Sequence, residues 1–147
     1  MTRELPALYS CLALAGTLPF IAGAVGLSAG YTFLPIIGAT VIAVSLYALV
    51  ILSFMAGIHW GMFFIAPHPS LGWLLIWSNF VALAGWFLFL FTAPVIFFLG
   101  VIILFSATML VDFLLHNLGI ISRNYLGLRV LTTIITLIAL IAITLKL

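Results

Sequence analysis

The chain has 147 residues, 67% of them apolar or aromatic and 4% charged, with a mean hydropathy of +1.53, whereas a soluble domain carries about 25% charged residues. Six charges, Arg3, Glu4, Asp112, Arg123, Arg129 and Lys146, cannot coat the water-facing surface of a domain this size, so the chain is an integral membrane protein. A formal charge of +2 from four scattered cations forms no basic patch and excludes a nucleic-acid binder, and the single cysteine, Cys11, excludes intrachain disulfides and cysteine-based metal clusters.

A membrane helix needs ~20 mainly apolar residues. Turn-forming residues divide this chain into five such stretches, 7–27, 36–65, 70–91, 95–117 and 125–146, which predict an all-α five-helix bundle in a single domain, 1–147. Arg3 before an apolar run and the small residues Ala22-Gly23-Ala24 resemble a secretory leader. Against this, Glu4 weakens the charge signature, Gly16 and Pro19 interrupt the apolar core, and the hydrophobic stretch continues to Leu27. A retained first helix is therefore expected, kinked at Pro19, with the carbonyl freed by the kink satisfied inside the bundle.

The second stretch, about 30 residues, is ~45 Å long as a straight helix against a hydrocarbon core of ~30 Å. It must tilt, protrude or bend, and Gly57 and Gly61 are the expected bending points. With Ser53 they form a small-residue stripe that lets another helix approach closely. Pro35, Pro69 and Pro94 sit at or just before helix starts, where a missing N–H costs nothing, and Ser70 is the expected N-cap of the third span. His68, in the turn Ala66-Pro-His-Pro69, reads as an exposed loop residue. Trp60, Trp73, Trp77 and Trp86 read as interface anchors or core residues. Arg3, Arg123 and Arg129 lie toward one side and Lys146 toward the other, which predicts the N-terminus inside and the C-terminus outside.

The informative residues are the few that do not belong in lipid. Asp112 and Arg129, His116 and Tyr125, and Thr108 and Thr133 are each equidistant from one midpoint between the fourth and fifth spans. Equal rise along two antiparallel helices then puts each pair at one depth. Thr108, Asp112 and His116 share a face of the fourth helix, and Tyr125, Arg129, Thr132, Thr133 and Thr136 form a stripe on the fifth. His59 precedes its own turn by the same number of residues as Asp112 does, so the second helix can bring an imidazole to that layer. Asn79 on the third helix falls about one turn deeper, where its simplest role is an interhelical hydrogen bond. An aspartate at the centre of a membrane helix costs ~2.5–3.5 kcal/mol on insertion scales, and an ion pair with Arg129 offsets much of this. The cluster is either a lock that holds helices in register, a site for proton or ion handling, or a contact for a lipid headgroup or a partner.

His59, Asp112 and His116 also make two histidines and a carboxylate, the ligand types of a non-haem iron site or part of a zinc site, and the two histidines could ligate a haem. No His-xxx-His or Glu-xx-His pairing occurs, and Arg129 competes for the carboxylate, so no metal or cofactor is expected.

Two segments, Tyr47 to Gly61 with its Ser53-Phe-x-x-Gly-x-His-Trp-Gly run, and Asp112 followed by Tyr125-x-x-Leu-Arg129-x-x-Leu-Thr, carry a resemblance over nearly the whole chain. The sequence resembles an uncharacterised family of small multi-span membrane proteins found in proteobacteria and including the mitochondrial transmembrane protein 69. Ala56 stands where the resemblance implies a second glycine. The resemblance implies a bacterial or mitochondrial inner membrane and no established activity, and it adds weight to His59, Trp60, Asp112, Tyr125 and Arg129.

Three functions fit. The first is a non-enzymatic accessory, assembly or scaffold component, as a homo-oligomer or within a larger inner-membrane complex, since the chain offers little outside the bilayer beyond a helix-contact stripe. The second is a small oligomeric proton- or ion-coupled channel or transporter using Asp112 and His59. The third is a lipid-, quinone- or metal-binding membrane protein. An enzyme is not expected, because Ser53 and Ser106 lack a paired base and no metalloprotease motif is present.

Overall fold

The computed structural model describes residues 4–65 and 69–147, so Arg3 and His68 lie outside the described residues. Five of its helical segments are long and apolar enough to cross a membrane, Ala7–Ser28, Thr40–Ile65, Trp73–Phe91, Pro94–Asn117 and Arg123–Thr144. The protein is an all-helical membrane bundle.

The first span is two helices, α1 (Glu4–Ala15) and α2 (Leu18–Ser28), with the break at Gly16 and Thr17 rather than at Pro19 itself. Proline sits comfortably in the first turn of α2, but its missing N–H and its ring disrupt the turn before it. The freed polar groups find partners within the bundle. Thr17 Oγ1 donates to the Leu14 carbonyl at 2.8 Å, and Tyr47 Oη on the next span donates to the Gly16 carbonyl at 2.9 Å.

The second span starts four residues later than the apolar run suggests. Residues 33–39 form a small antiparallel ribbon, β1 (Phe33–Leu34) against β2 (Gly38–Ala39). Pro35 is therefore a turn residue, not a helix start. The Ile37 N–H closes the turn on the Leu34 carbonyl, and Gly38 follows at φ +91°, a conformation that favours glycine. Helix α3 (Thr40–Ile65) then runs unbroken for 26 residues past Gly57 and Gly61. Helix α4 (Trp73–Phe91) begins behind Gly72, and the expected cap Ser70 lies instead in a 3-10 turn, Pro69–Leu71. Helix α5 (Pro94–Asn117) opens with its proline at the first turn behind an extended Ala93. Helix α6 (Arg123–Thr144) starts two residues before the expected 125, because Ser122 caps it by accepting the Tyr125 N–H.

In the bundle α3 lies against α4, α5 against α6, and α2 against both α3 and α6. Phe20, Ala48, Leu52, Val81, Phe98, Val101, Leu140 and Ile143 form one buried apolar cluster. Leu74, Met109, Leu115, Ile121 and Leu126 belong to a second, around the α5–α6 turn. The polar residues described below lie where α3, α5 and α6 meet.

The small residues that permit close helix approach are not those of the stripe. Gly57 and Gly61 are exposed, and a Cβ placed on either meets nothing within 4 Å. At Gly23 of α2, by contrast, a Cβ falls 2.3 Å from Val44 Cγ2 of α3, and a β-branched side chain has little freedom to move aside. Gly23→Ala is expected to cost about 1–3 kcal/mol through overpacking. Gly57→Ala should be neutral or up to ~1 kcal/mol stabilising through helix propensity. Thermal unfolding of both variants in one detergent measures the contrast.

Candidate functional site

Three charged or polar side chains from three helices converge below the α5–α6 turn. On α3, buried Val44, Ala48, Leu52, Ala56 and His59 recur at helical spacing and turn the imidazole inward. On α5 the same periodicity buries Thr108, Asp112 and Leu115, and on α6 it buries Arg129, Thr132, Thr133 and Thr136. His59 and Asp112 are 0% exposed and Arg129 is 6% exposed.

The Asp112 carboxylate is shared between the two cation-capable partners. His59 Nε2 lies 2.8 Å from Oδ1, while Arg129 Nε donates to Oδ2 at 2.7 Å and Nη2 lies 2.7 Å from the same oxygen. An ionised carboxylate only accepts, so His59 carries its proton on Nε2; Nδ1 is buried and has no partner. Arg129 Nη1 turns to the sulfur of Met55, one turn before His59 on α3. Between Arg129 and Asp112, one guanidinium and one carboxylate cancel in formal charge. The triad ties α3, α5 and α6 together by charge-assisted hydrogen bonds, and loss of one charged partner alone strands the other in a low-dielectric interior.

The other sequence candidates fall elsewhere. His116 is one turn from Asp112 on the same face but donates from Nδ1 to the Ile121 carbonyl at 2.9 Å, closing the α5–α6 turn. Tyr125 lies near the triad with its hydroxyl buried and unpartnered, and its ring is nearly parallel to that of Tyr9 on α1, at 8° with centroids 6.4 Å apart. Asn79 is exposed, and its side-chain amide donates to the Leu75 carbonyl of its own helix at 2.8 Å. The interhelical bond expected of Asn79 is made by its neighbour Ser78, whose hydroxyl donates to the Ala56 carbonyl at 2.7 Å. Trp60 is half-exposed, with its indole N–H on the Leu75 carbonyl at 3.3 Å, so it bridges α3 and α4 at their edge. Ser53, Gly57 and Gly61 face outward, away from the other helices.

The sequence reading missed Met55, Ser78 and Tyr9. Met55 was within reach, lying four residues before His59 on one face of α3. Tyr9 carried no signal, because nothing local says where the first span lies against the fifth.

Among the described residues no group of three or more His, Cys, Asp or Glu side chains is placed to hold a metal. His59 and His116 are engaged by different partners, the first by a carboxylate and the second by a backbone carbonyl.

A family model covers residues 5–145, nearly the whole chain including all three triad residues. The chain belongs to the DUF3429 family, proteins of unknown function. No curated protein and no solved structure matches it. The matched residues include the membrane bundle and its buried triad, and the match attaches no activity to either.

Proposed function

We propose that this protein is a non-enzymatic accessory or assembly component of a bacterial or mitochondrial inner-membrane complex, in which the His59-Asp112-Arg129 triad is a structural clamp. The kinship to mitochondrial transmembrane protein 69 belongs to this reading. The observation that carries it is the state of Asp112: both carboxylate oxygens are engaged, by groups from two other helices, at 0% exposure. A carboxylate held in this way fixes helix register and has no free oxygen to offer a substrate. The hydroxyls of Ser78 and Ser106 donate to backbone carbonyls rather than to a base, which supports a role without covalent catalysis. The outward-facing Ser53, Gly57 and Gly61 supply a flat strip for another membrane helix. In the orientation proposed, the α5–α6 loop and the N-terminus are on the cytoplasmic or matrix side. Arg3 and Arg123 there outnumber Lys146, and Arg129, held by Asp112, is not a free loop charge.

Extraction of the native protein in a mild detergent tests this. It is expected to leave the membrane in a reproducible assembly larger than one chain, and Gly57→Leu with Gly61→Leu should release it as a folded monomer. A native protein that is monodisperse and monomeric overturns the reading. One observation favours proton handling instead, the bare Nδ1 of His59 beside a charged pair. Vesicles holding the pure protein under a pH gradient separate the two. The clamp reading expects no leak above empty vesicles, whereas a leak abolished by His59→Leu supports the coupled channel.

A further inference from the structure

We propose that the cleft between α1, α3 and α6 is a binding site for the head of a neutral membrane quinone, with Arg129, Tyr125, Thr133 and Thr136 as its hydrogen-bond donors. The cleft has a volume of about 380 Å³, within the ~300–1,000 Å³ typical of small-molecule sites. Leu12 and Phe54, 64% and 67% exposed, stand among its lining residues, so it opens toward lipid, while Arg129, Thr133 and Thr136 are buried along its α6 wall. From Tyr125 to Thr136 that wall extends ~16 Å along the helix axis.

The hydroxyls of this wall depart from the habit of the rest of the bundle. Thr92, Thr108, Thr132 and Thr144 each donate to the carbonyl four residues before, the usual way for a threonine to satisfy itself within a membrane helix. Thr133 and Thr136, buried where Thr92 and Thr144 are only partly so, make no side-chain hydrogen bond among the described residues. The Tyr125 hydroxyl, buried on the same wall, also has no partner. With Arg129 beside them, these residues line a mainly apolar space. In lipid no bulk water answers them, so an occupant supplying acceptors gains what the empty cleft lacks.

Three features select the head. Arg129 is already neutralised by Asp112 at 2.7 Å, so a carboxylate or phosphate brings an unmatched charge into an apolar site, whereas a neutral carbonyl does not. The nearly parallel rings of Tyr9 and Tyr125, both lining the cleft, offer a flat aromatic surface against which a planar ring packs. Arg129 and Thr133 are four residues apart, ~6 Å along the axis, a spacing comparable to that of the two carbonyl oxygens across a para-quinone. The apolar tail then leaves past Leu12 and Phe54 into lipid. This is binding only, with no electron transfer assigned to the chain, and it does not depend on the accessory role.

The test uses the full chain in nanodiscs and a radiolabelled decyl-substituted benzoquinone, with empty discs correcting for partition into lipid. Saturable binding of one quinone per chain is expected, displaced neither by decylbenzene, which has ring and tail but no carbonyls, nor by oleate, which has an anionic head. Thr133→Val with Thr136→Val keeps shape while removing two donors, and should weaken binding at least tenfold at an unchanged melting temperature. Absence of saturable binding overturns the proposal. So does equal displacement by decylbenzene, which makes the cleft a generic apolar groove, and so does displacement by oleate, which makes it an anion site. Should the double variant not fold, the competition on the parent protein still decides.

Discussion

Asp112→Ala is expected to destabilise the protein by about 3–5 kcal/mol, the cost of breaking a buried ion pair from one side, and so to prevent normal accumulation in the membrane. The reason is the partner left behind. Arg129 is 6% exposed and sits six residues inside α6, so its charge stays enclosed with only Met55 as a named acceptor. Ordinary interhelical hydrogen bonds in membranes average only ~0.6 kcal/mol, so a loss of several kcal/mol identifies an uncompensated charge rather than a missing bond. Removing both charges, as Asp112→Leu with Arg129→Met, should therefore cost less than Asp112→Ala alone. The swap Asp112→Arg with Arg129→Asp should recover part of the protein level, incompletely, because it sets the new cation against His59. Detergent melting curves and membrane abundance of the single and double variants check this. An Asp112→Ala protein that accumulates and melts like the parent rejects the clamp.

His59→Leu comes second in expected size, at about 1.5–3 kcal/mol, the range for a hydrogen bond to a charged group. The substitution strips Asp112 Oδ1 of the donor at 2.8 Å while leaving the Arg129 contacts on Oδ2 intact. The pair survives with a half-satisfied carboxylate, which is why the loss is smaller than for Asp112→Ala. His59→Gln restores an N–H donor on a flexible stem and should recover part of the loss. By contrast His116→Leu removes a bond to a backbone carbonyl at the α5–α6 turn, and should loosen that turn without the penalty of a stranded charge. Equal destabilisation by His59→Leu and His116→Leu would remove the distinction drawn here between a triad member and a turn residue. Melting temperatures of the three variants measured side by side make the comparison.

The sequence by itself determined the membrane class, the number of spans and the depth of the polar layer. Composition decides the first, because six charges cannot solvate this surface. Depth is legible because rise per residue is constant, so positions equidistant from a short turn meet at one level. Asp112 and Arg129 were paired by that argument, and His59 reached the same level from another turn. What the sequence could not supply is rotation about each helix axis. In a soluble helix the apolar stripe gives that rotation, but here nearly every face is apolar and the stripe disappears. Asn79 and Ser78 differ by one residue and ~100° of rotation, and the fold turned Ser78 inward. The same uncertainty hid which small residues pack inside the bundle, for Gly57 and Gly61 face outward while Gly23 meets Val44. The α5–α6 turn captured His116, whose Nδ1 donates to the Ile121 carbonyl at 2.9 Å. Only the tertiary structure could set Tyr9 of the first span beside Tyr125 of the fifth and leave a cleft between them, since that contact joins segments with no local relation in sequence.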